Sequence, residues 1–498
     1  MTSIGMLPSI DCAISARTAG SRSARFILEL CEAAAARVGF NGVAPATAPE
    51  VLVGLEGAIS GILLGKTLNG SSTTLGALIG GLVAGVISDC IGRKPVLGIA
   101  NITFIGGAIG QSLSHTITAM VASSFLVGIG VGLAACIVPL YIGELSPTRL
   151  RGRLVTVNFI AITFGQVVAY AIGAGFEKSP GGWRWMVGLG AVPAGVQLGC
   201  LIFLPESPRI LIRMDHVEQA RAVLKSIYAY ATENQVDKKL EVLRSSVNES
   251  AALSEQDTLW DKLKSMGTVP ERRRALIVAC GPQAFQQLCG FNTLMYYSAS
   301  LFKAVGLNQP TAVGLIIVGT NFLFTLIALK WIDGIGRRRI MLWSSPWMVV
   351  GLVLAAIAFC FMTKKTHGYL VDGAEYSTTW SAIVLVAVII YVAAYATGLG
   401  NVPWQQGELF GLEVRGIGSS LATATNWSGN LLIGATYLSL IEAITTAGAF
   451  GLYVGLCFLG FLFLEEVQLI FRHDFGIIES ERLRREMREM RERVGLGM

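Results

Sequence analysis

The stretch Gly281–Ser300, GPQAFQQLCGFNTLMYYSAS, is long enough to cross a bilayer and carries no charge. It nevertheless holds Gln283, Gln286, Gln287, Asn292, Tyr296 and Tyr297. Amides and phenols are unfavourable in hydrocarbon unless they face protein, water or a ligand. Each amide both donates and accepts, so this set suits a neutral ligand rich in hydroxyls. The alternative is glue between helices, the commoner role of a single amide in a membrane helix. Gln286 and Asn292 are about 1.7 helical turns apart, which on a regular helix puts them on different faces. Gly290 and Pro282 therefore predict a bent or broken helix, as expected where a membrane helix lines a cavity.

The elements that would hold these groups are membrane helices. Of the 498 residues, 53% are hydrophobic and 14% charged, and mean hydropathy is +0.59. A soluble domain carries about 25% charged residues. The expected fold class is thus all-α and polytopic. Predicted spans lie at 71–88, 96–114, 119–142, 154–176, 184–204, 275–300, 311–331, 340–361, 380–407, 416–440 and 448–464, with a short first segment at 51–64. The chain divides into an N-terminal cytosolic tail (1–50), a first bundle (51–204), a polar helical insert (205–274), a second bundle (275–465) and a charged tail (466–498). Helical signals in the insert centre on 217–230 and 235–247. The cysteines have no metal-type spacing and read as small buried hydrophobes. The histidines are scattered, and there is no phosphate loop or Ser-His-Asp order, so an enzyme is not expected and neither cofactor nor metal is called for.

Arginines fix orientation. Arg93, Lys94, Arg149–Arg153, Arg272–Arg274, Arg337–Arg339 and Arg415 fall on one side of the predicted spans, which the positive-inside rule makes cytosolic. They also recur with carboxylates. Asp89-Cys-Ile-Gly-Arg93 is repeated as Asp333-Gly-Ile-Gly-Arg337, and Glu144 precedes Arg151-Gly152 as Glu408 precedes Arg415-Gly416. Such a repeat implies two similar halves. Ion pairs among these residues, joined by Glu206 and Arg209, are expected to latch the halves together on the cytosolic side.

These motifs carry a resemblance. Asp89–Pro95, PLYIGELSPTRLRG (139–152), PESPR (205–209), QQLCGFNTLMYYS (286–298), DGIGRRR (333–339), PWQQGELF (403–410) and NWSGN (426–430) together resemble the sugar porter family of the major facilitator superfamily. The wording around 289, 400 and 421–440 is most similar to its fungal myo-inositol transporters. The resemblance implies two six-helix bundles around a central cavity and alternating access. It implies polyol-binding groups at Gln166, Gln286, Gln287, Asn292, Asn321, Trp404 and Asn430, with Asn426 and Trp427 nearby and an extracellular gate at Tyr296 and Tyr297. Asn401, where many hexose porters have proline, is expected to add a hydrogen bond. The implied partners are a polyol or sugar, a proton in the coupled members, and membrane lipid, without nucleic acid. The implied place is multi-pass in a membrane, the plasma membrane by kinship.

The chain departs from the family at the proton-coupling pair. Leu55 stands at the aspartate of the first helix, with Glu56 one position away, and Ser124 stands at the arginine of the fourth. Losing both partners of a buried ion pair can be nearly neutral, whereas losing one is not. Weak pH dependence is therefore expected. The loop at 66–70 is short, and Phe461–Leu464 runs directly into Glu465 and Glu466 without the family's usual motif. A hexose or pentose facilitator, a non-transporting sugar sensor and an inactive copy are the other readings.

Overall fold

The computed structural model describes residues 71–474 except 148–150, 177–178, 229, 255–257, 305–309, 336, 371–375, 402, 404–408 and 412. Within its helices the side chains of 151–152, 251–254, 296–300, 303–304, 310–312, 332–334, 337–338, 365, 438, 442 and 466–474 are not described. The first predicted segment, with Leu55 and Glu56, both tails, Trp404 and Glu408 therefore lie outside the described residues. So do the side chains of Tyr296, Tyr297, Arg151, Asp333 and Arg337.

The described residues are helical. In chain order the helices are α1 (Ser71–Ile91), α2 (Arg93–Leu113), α3 (Ile117–Leu145), α4 (Arg151–Phe176), α5 (Gly182–Gly188), α6 (Ala191–Leu201), α7 (Pro208–Arg213), α8 (Val217–Ile227), α9 (Glu233–Ser254), α10 (Leu259–Thr268), α11 (Pro270–Leu288), α12 (Phe291–Ala304), α13 (Pro310–Ile335), α14 (Arg337–Met362), α15 (Thr378–Thr397) and α16 (Arg415–Asp474). Eight segments among them are long and apolar enough to cross a membrane. Two predicted spans are built differently from expectation, and a third breaks where expected. The segment 184–204 is two helices, because Pro193 has no N–H for the Leu189 carbonyl; Val192 bonds that carbonyl instead, one residue tighter. The segment 380–407 stops at Thr397, where Gly398 leaves helical geometry (φ −120°, ψ −81°). The segment 275–300 breaks at Gly290, as its sequence implies. The last two spans, 416–440 and 448–464, are joined within α16 across a kink at Thr445.

Two sets of apolar side chains pack separately. Ala84, Val96, Leu97, Cys136, Ile137 and Leu201 belong to one core, drawn from α1, α2, α3 and α6. The larger core draws on α12–α16, with Phe302, Ile317, Phe359, Val392 and Phe450 at its centre. Tyr170 of α4 enters this larger core, and Trp427 of α16 enters a third, N-terminal cluster around Phe104 and Val127. Between the sets, α4 packs along α13 and α16 touches α3. Helices α7, α8 and α9 pack on one another through Leu211, Ile212 and Ala220.

Candidate binding site

The break between α11 and α12 sets the geometry. Gly290 has φ +83°, a left-handed conformation that a side chain resists. A Cβ there would also lie 2.8 Å from the Tyr453 ring. The Tyr391 hydroxyl donates to the Cys289 carbonyl at 2.8 Å, satisfying a group that the interrupted helix leaves open. Pro282 sits within α11 without ending it. Beside the break, Gly290, Thr293, Leu352, Tyr391, Tyr437 and Tyr453 line a small cavity inside the second core.

Gln283, Gln286 and Gln287 are spaced three and four residues apart, so one face of α11 carries all three. All are buried, and all converge on Asn426 of α16. Asn426 Nδ2 donates to Gln283 Oε1 (2.6 Å) and Gln286 Oε1 (2.7 Å), and its Oδ1 accepts from Gln287 Nε2 (3.0 Å). Asn292 Nδ2, across the break, donates to Gln287 Oε1. Gln286 Nε2 donates to the carbonyls of Leu399 (2.8 Å) and Gly400 (2.9 Å), and Gln283 Nε2 to that of Pro403 (3.1 Å). These are carbonyls that α15 would have bonded had it continued. Asn401 Nδ2 caps the same end, donating to Ala396 at 2.7 Å. Gly429 lets the chains close up, since a Cβ there would lie 2.9 Å from Gln287 Cβ.

From the first half, Gln166 Oε1 accepts from Asn321 Nδ2 at 3.1 Å across the α4–α13 contact. The Tyr170 hydroxyl reaches the Met295 carbonyl at 3.1 Å. Asn430, four residues beyond Asn426, is buried. The Trp427 indole N–H is buried with no acceptor among the described residues.

Counting valences separates the amides. Gln286 has both N–H groups engaged with backbone carbonyls. Gln287 retains one N–H, Asn292 its oxygen and one N–H, Gln166 its nitrogen and Asn321 its oxygen, none with a partner among the described residues. The arrangement can thus offer donors and acceptors from both halves to a polyhydroxyl ligand. The sequence reading includes Gln283 among the polar groups but outside the ligand set, and it puts Asn426 only near the site. The i, i+3, i+4 spacing of the glutamines was the available signal; the convergence on Asn426, about 140 residues away, was not visible in it.

At the basic end, Arg93 is the centre. Its Nη1 donates to Asp89 (2.7 Å) and Ser88 (2.9 Å), and its Nη2 to Glu144 (3.3 Å); the Arg93 and Glu144 side chains are 5% and 3% exposed. Glu206 caps α2, accepting from the Arg93 and Lys94 amides at 3.1 Å each. Of the expected latch, the side chains of Asp89, Arg93, Glu144, Glu206, Arg209 and Arg415 are described. The ion pairs of Arg93 stay within the first half, because Asp89 and Glu144 reach it from adjoining helix ends. Across the halves lies a backbone contact. The Gly85 amide donates to Ser420 Oγ at 2.8 Å, and Cys136 Sγ is 3.7 Å from the same oxygen. A Cβ at Gly85 would sit 2.2 Å from the Gly416 carbonyl, and one at Gly416 would sit 2.4 Å from Asp89 Oδ2. In the second half, Arg272 pairs with Glu413 at 2.5 Å and also holds Ser265, a pair absent from the sequence reading; Arg415 reaches the Phe410 carbonyl at 3.5 Å.

Where the sequence resemblance would place a buried arginine, Ser124 accepts from Gln111 Nε2 (2.5 Å) and donates to the Met120 carbonyl (2.8 Å). A neutral pair fills that place.

Residues 64–465 match the family described as "Sugar (and other) transporter". The chain is 52% identical over 476 residues to "Myo-inositol transporter 1" of Cryptococcus neoformans, covering 93% of this chain and 84% of that one. It is 41% identical over 442 residues to "Myo-inositol transporter 1" of Saccharomyces cerevisiae, covering 86% and 76%. Among solved structures, it superposes with TM-score 0.72 and 24% identity on the proton:xylose symporter XylE bound to 6-bromo-6-deoxy-D-glucose, over 93% of this chain and 94% of that one.

Proposed function

Because this chain belongs to the sugar transporter family and is a multi-pass membrane transporter rather than an enzyme, we propose that it moves myo-inositol or a closely related polyol across the plasma membrane by alternating access between two six-helix bundles. The observation that carries the reading is the set of unpaired amide valences on Gln166, Gln287, Asn292 and Asn321, contributed by both halves. A polyol bridging them satisfies groups otherwise left open, and an analogue lacking a hydroxyl leaves one unpaired. Asn430 and Trp404 complete the ligand contacts in this reading, with Tyr296 and Tyr297 as the outer gate. Gln286 and Asn401 shape the site by holding the end of α15, and Asn426 holds the glutamines in register.

Alternating access then requires parting α1 and α3 from α16 at the basic end, where Gly85, Cys136, Gly416 and Ser420 meet. Asp333, Arg337, Arg151, Glu408 and Arg415 contribute charge to the same end. Transport is facilitative in this reading, because the Gln111–Ser124 pair holds no charge for a proton to neutralise.

Uptake of labelled myo-inositol, glucose and xylose in transport-deficient yeast at two pH values tests this. The expected result is inositol uptake of similar rate at both pH values, without alkalinisation of the medium, and lost in Gln287→Ala. Uptake of hexose but not inositol would replace the substrate, and inositol-induced alkalinisation would restore proton coupling.

A further inference from the structure

Helix α10 is a short amphipathic element with no residue in the amide site described above. Thr258 and Asp261 close a capping box at its start, which fixes where it begins. Met266 is fully buried against Ala275, Ala279, Phe410 and Val414, so the helix is seated on the basic end of the second half. Arg272 ties Ser265 to Glu413 and locks the helix further. Yet Leu259 is 58% and Trp260 70% exposed, and Leu263 is exposed beside them. On a helix these three fall within an arc of about 100°. Lys262 and Lys264 flank that arc, and neither they nor Arg273 forms an ion pair among the described residues.

Its position supplies the occupant. Only Val269 separates α10 from α11, which starts at Pro270 and carries Arg272–Arg274 at the basic end before turning apolar. Basic residues at the end of a membrane-spanning segment mark the level of the phospholipid headgroups. A tryptophan and two leucines between lysines match an interfacial helix, with apolar side chains at the acyl boundary and cations on anionic lipid.

We propose that α10 is an in-plane anchor: Leu259, Trp260 and Leu263 enter the basic-side leaflet, and Lys262, Lys264 and Arg273 bind its anionic phospholipid headgroups. The anchor rests on the chain's spanning a membrane with its basic ends on one side, and it holds whatever the transported molecule.

A nitroxide at Leu263→Cys, in a chain with its other cysteines replaced by serine and with retained uptake, reads the contact in nanodiscs of phosphatidylcholine with and without phosphatidylserine. A second label at Glu249→Cys on α9 is the aqueous reference. The expected result is an oxygen-to-nickel collision ratio several-fold higher at 263 than at 249. It should rise further with phosphatidylserine, and that rise should vanish when Lys262→Glu and Lys264→Glu are combined. Equal nickel access at both positions overturns the proposal by placing the face in water. Shielding of 263 from both relaxants overturns it by showing a protein cover.

Discussion

Two buried polar networks sit at different heights in this molecule, and their difference separates scaffold from site. The one at the basic end is ionic and built on charge pairs, although Arg93 Nε and Glu144 Oε2 are buried without a partner among the described residues. Arg93 is held by Asp89, Glu144 and Ser88, and Glu206 by the start of α2, all from residues before 210. The one around Asn426 is neutral and incomplete. It joins α11, α12, α16 and the end of α15, and it leaves donors and acceptors without partners. A buried charge cannot be left unpaired, so the first network has one arrangement. Amides can exchange partners with a hydroxylated ligand at little net change, because each bond broken is replaced by a similar one. The ionic network ties helix ends of the first half together, and the amide network is where the proposed ligand would bind.

Substitutions break this comparison in order of expected effect. Arg93→Ala strands two carboxylates and should cost about 3–5 kcal/mol, enough to abolish monodisperse protein on size-exclusion chromatography. If instead Arg93→Ala is stable and only transport is lost, the ionic network is functional and not scaffold. Gly416→Leu forces α16 away from Asp89 and Gly85. It should keep the basic end open, seen as faster alkylation of Cys136, while folding persists; unchanged labelling removes the glycine contact from the gating account. Gln287→Ala should weaken inositol affinity by about tenfold or more while the melting temperature changes little. Gln286→Ala should show the opposite balance, lowering the melting temperature through the freed Leu399 and Gly400 carbonyls. The smallest effect is at the surface of α8 and α9. There the hydrogen bond from Arg221 holds the Asp237 carboxyl below its usual range, and that from Lys225 does the same for Glu233. A lowered carboxylate stabilises the fold above the ordinary carboxylate range and loses that contribution as pH falls through the folded-state value. Hydrogen-exchange protection factors of α8 and α9, corrected for the intrinsic rate at each pH, should fall slightly in acid, with those of the transmembrane helices unchanged.

Much of this was legible from one sequence because the signals are local. Gly290 marks its own break, the glutamines of α11 fall on one face by spacing, and Arg93 lies within reach of Asp89 one turn away. What was not legible is pairing across sequence distance. Nothing local says that Ser420 meets Gly85, that Glu413 meets Arg272, or that Asn426 gathers three glutamines; those depend on the registers of packed helices. The same limit misread two spans. Hydropathy continues through Leu189–Gly190 and past Gly398, while the helices do not, since Pro193 and the glycine backbone decide those stops. The expected latch also depends on Arg151, Asp333, Arg337 and Glu408, whose side chains lie outside the described residues. Repeated charge spacing identified the residues at helix ends but not which half each one faces.

The central claim is that amides from both halves bind one ligand. Isothermal titration of myo-inositol into purified Gln166→Ala, from the first half, and Gln287→Ala, from the second, tests it directly. The account predicts that each variant loses affinity by about tenfold or more while melting within a few degrees of the parent chain. Parent-like affinity in both would contradict it.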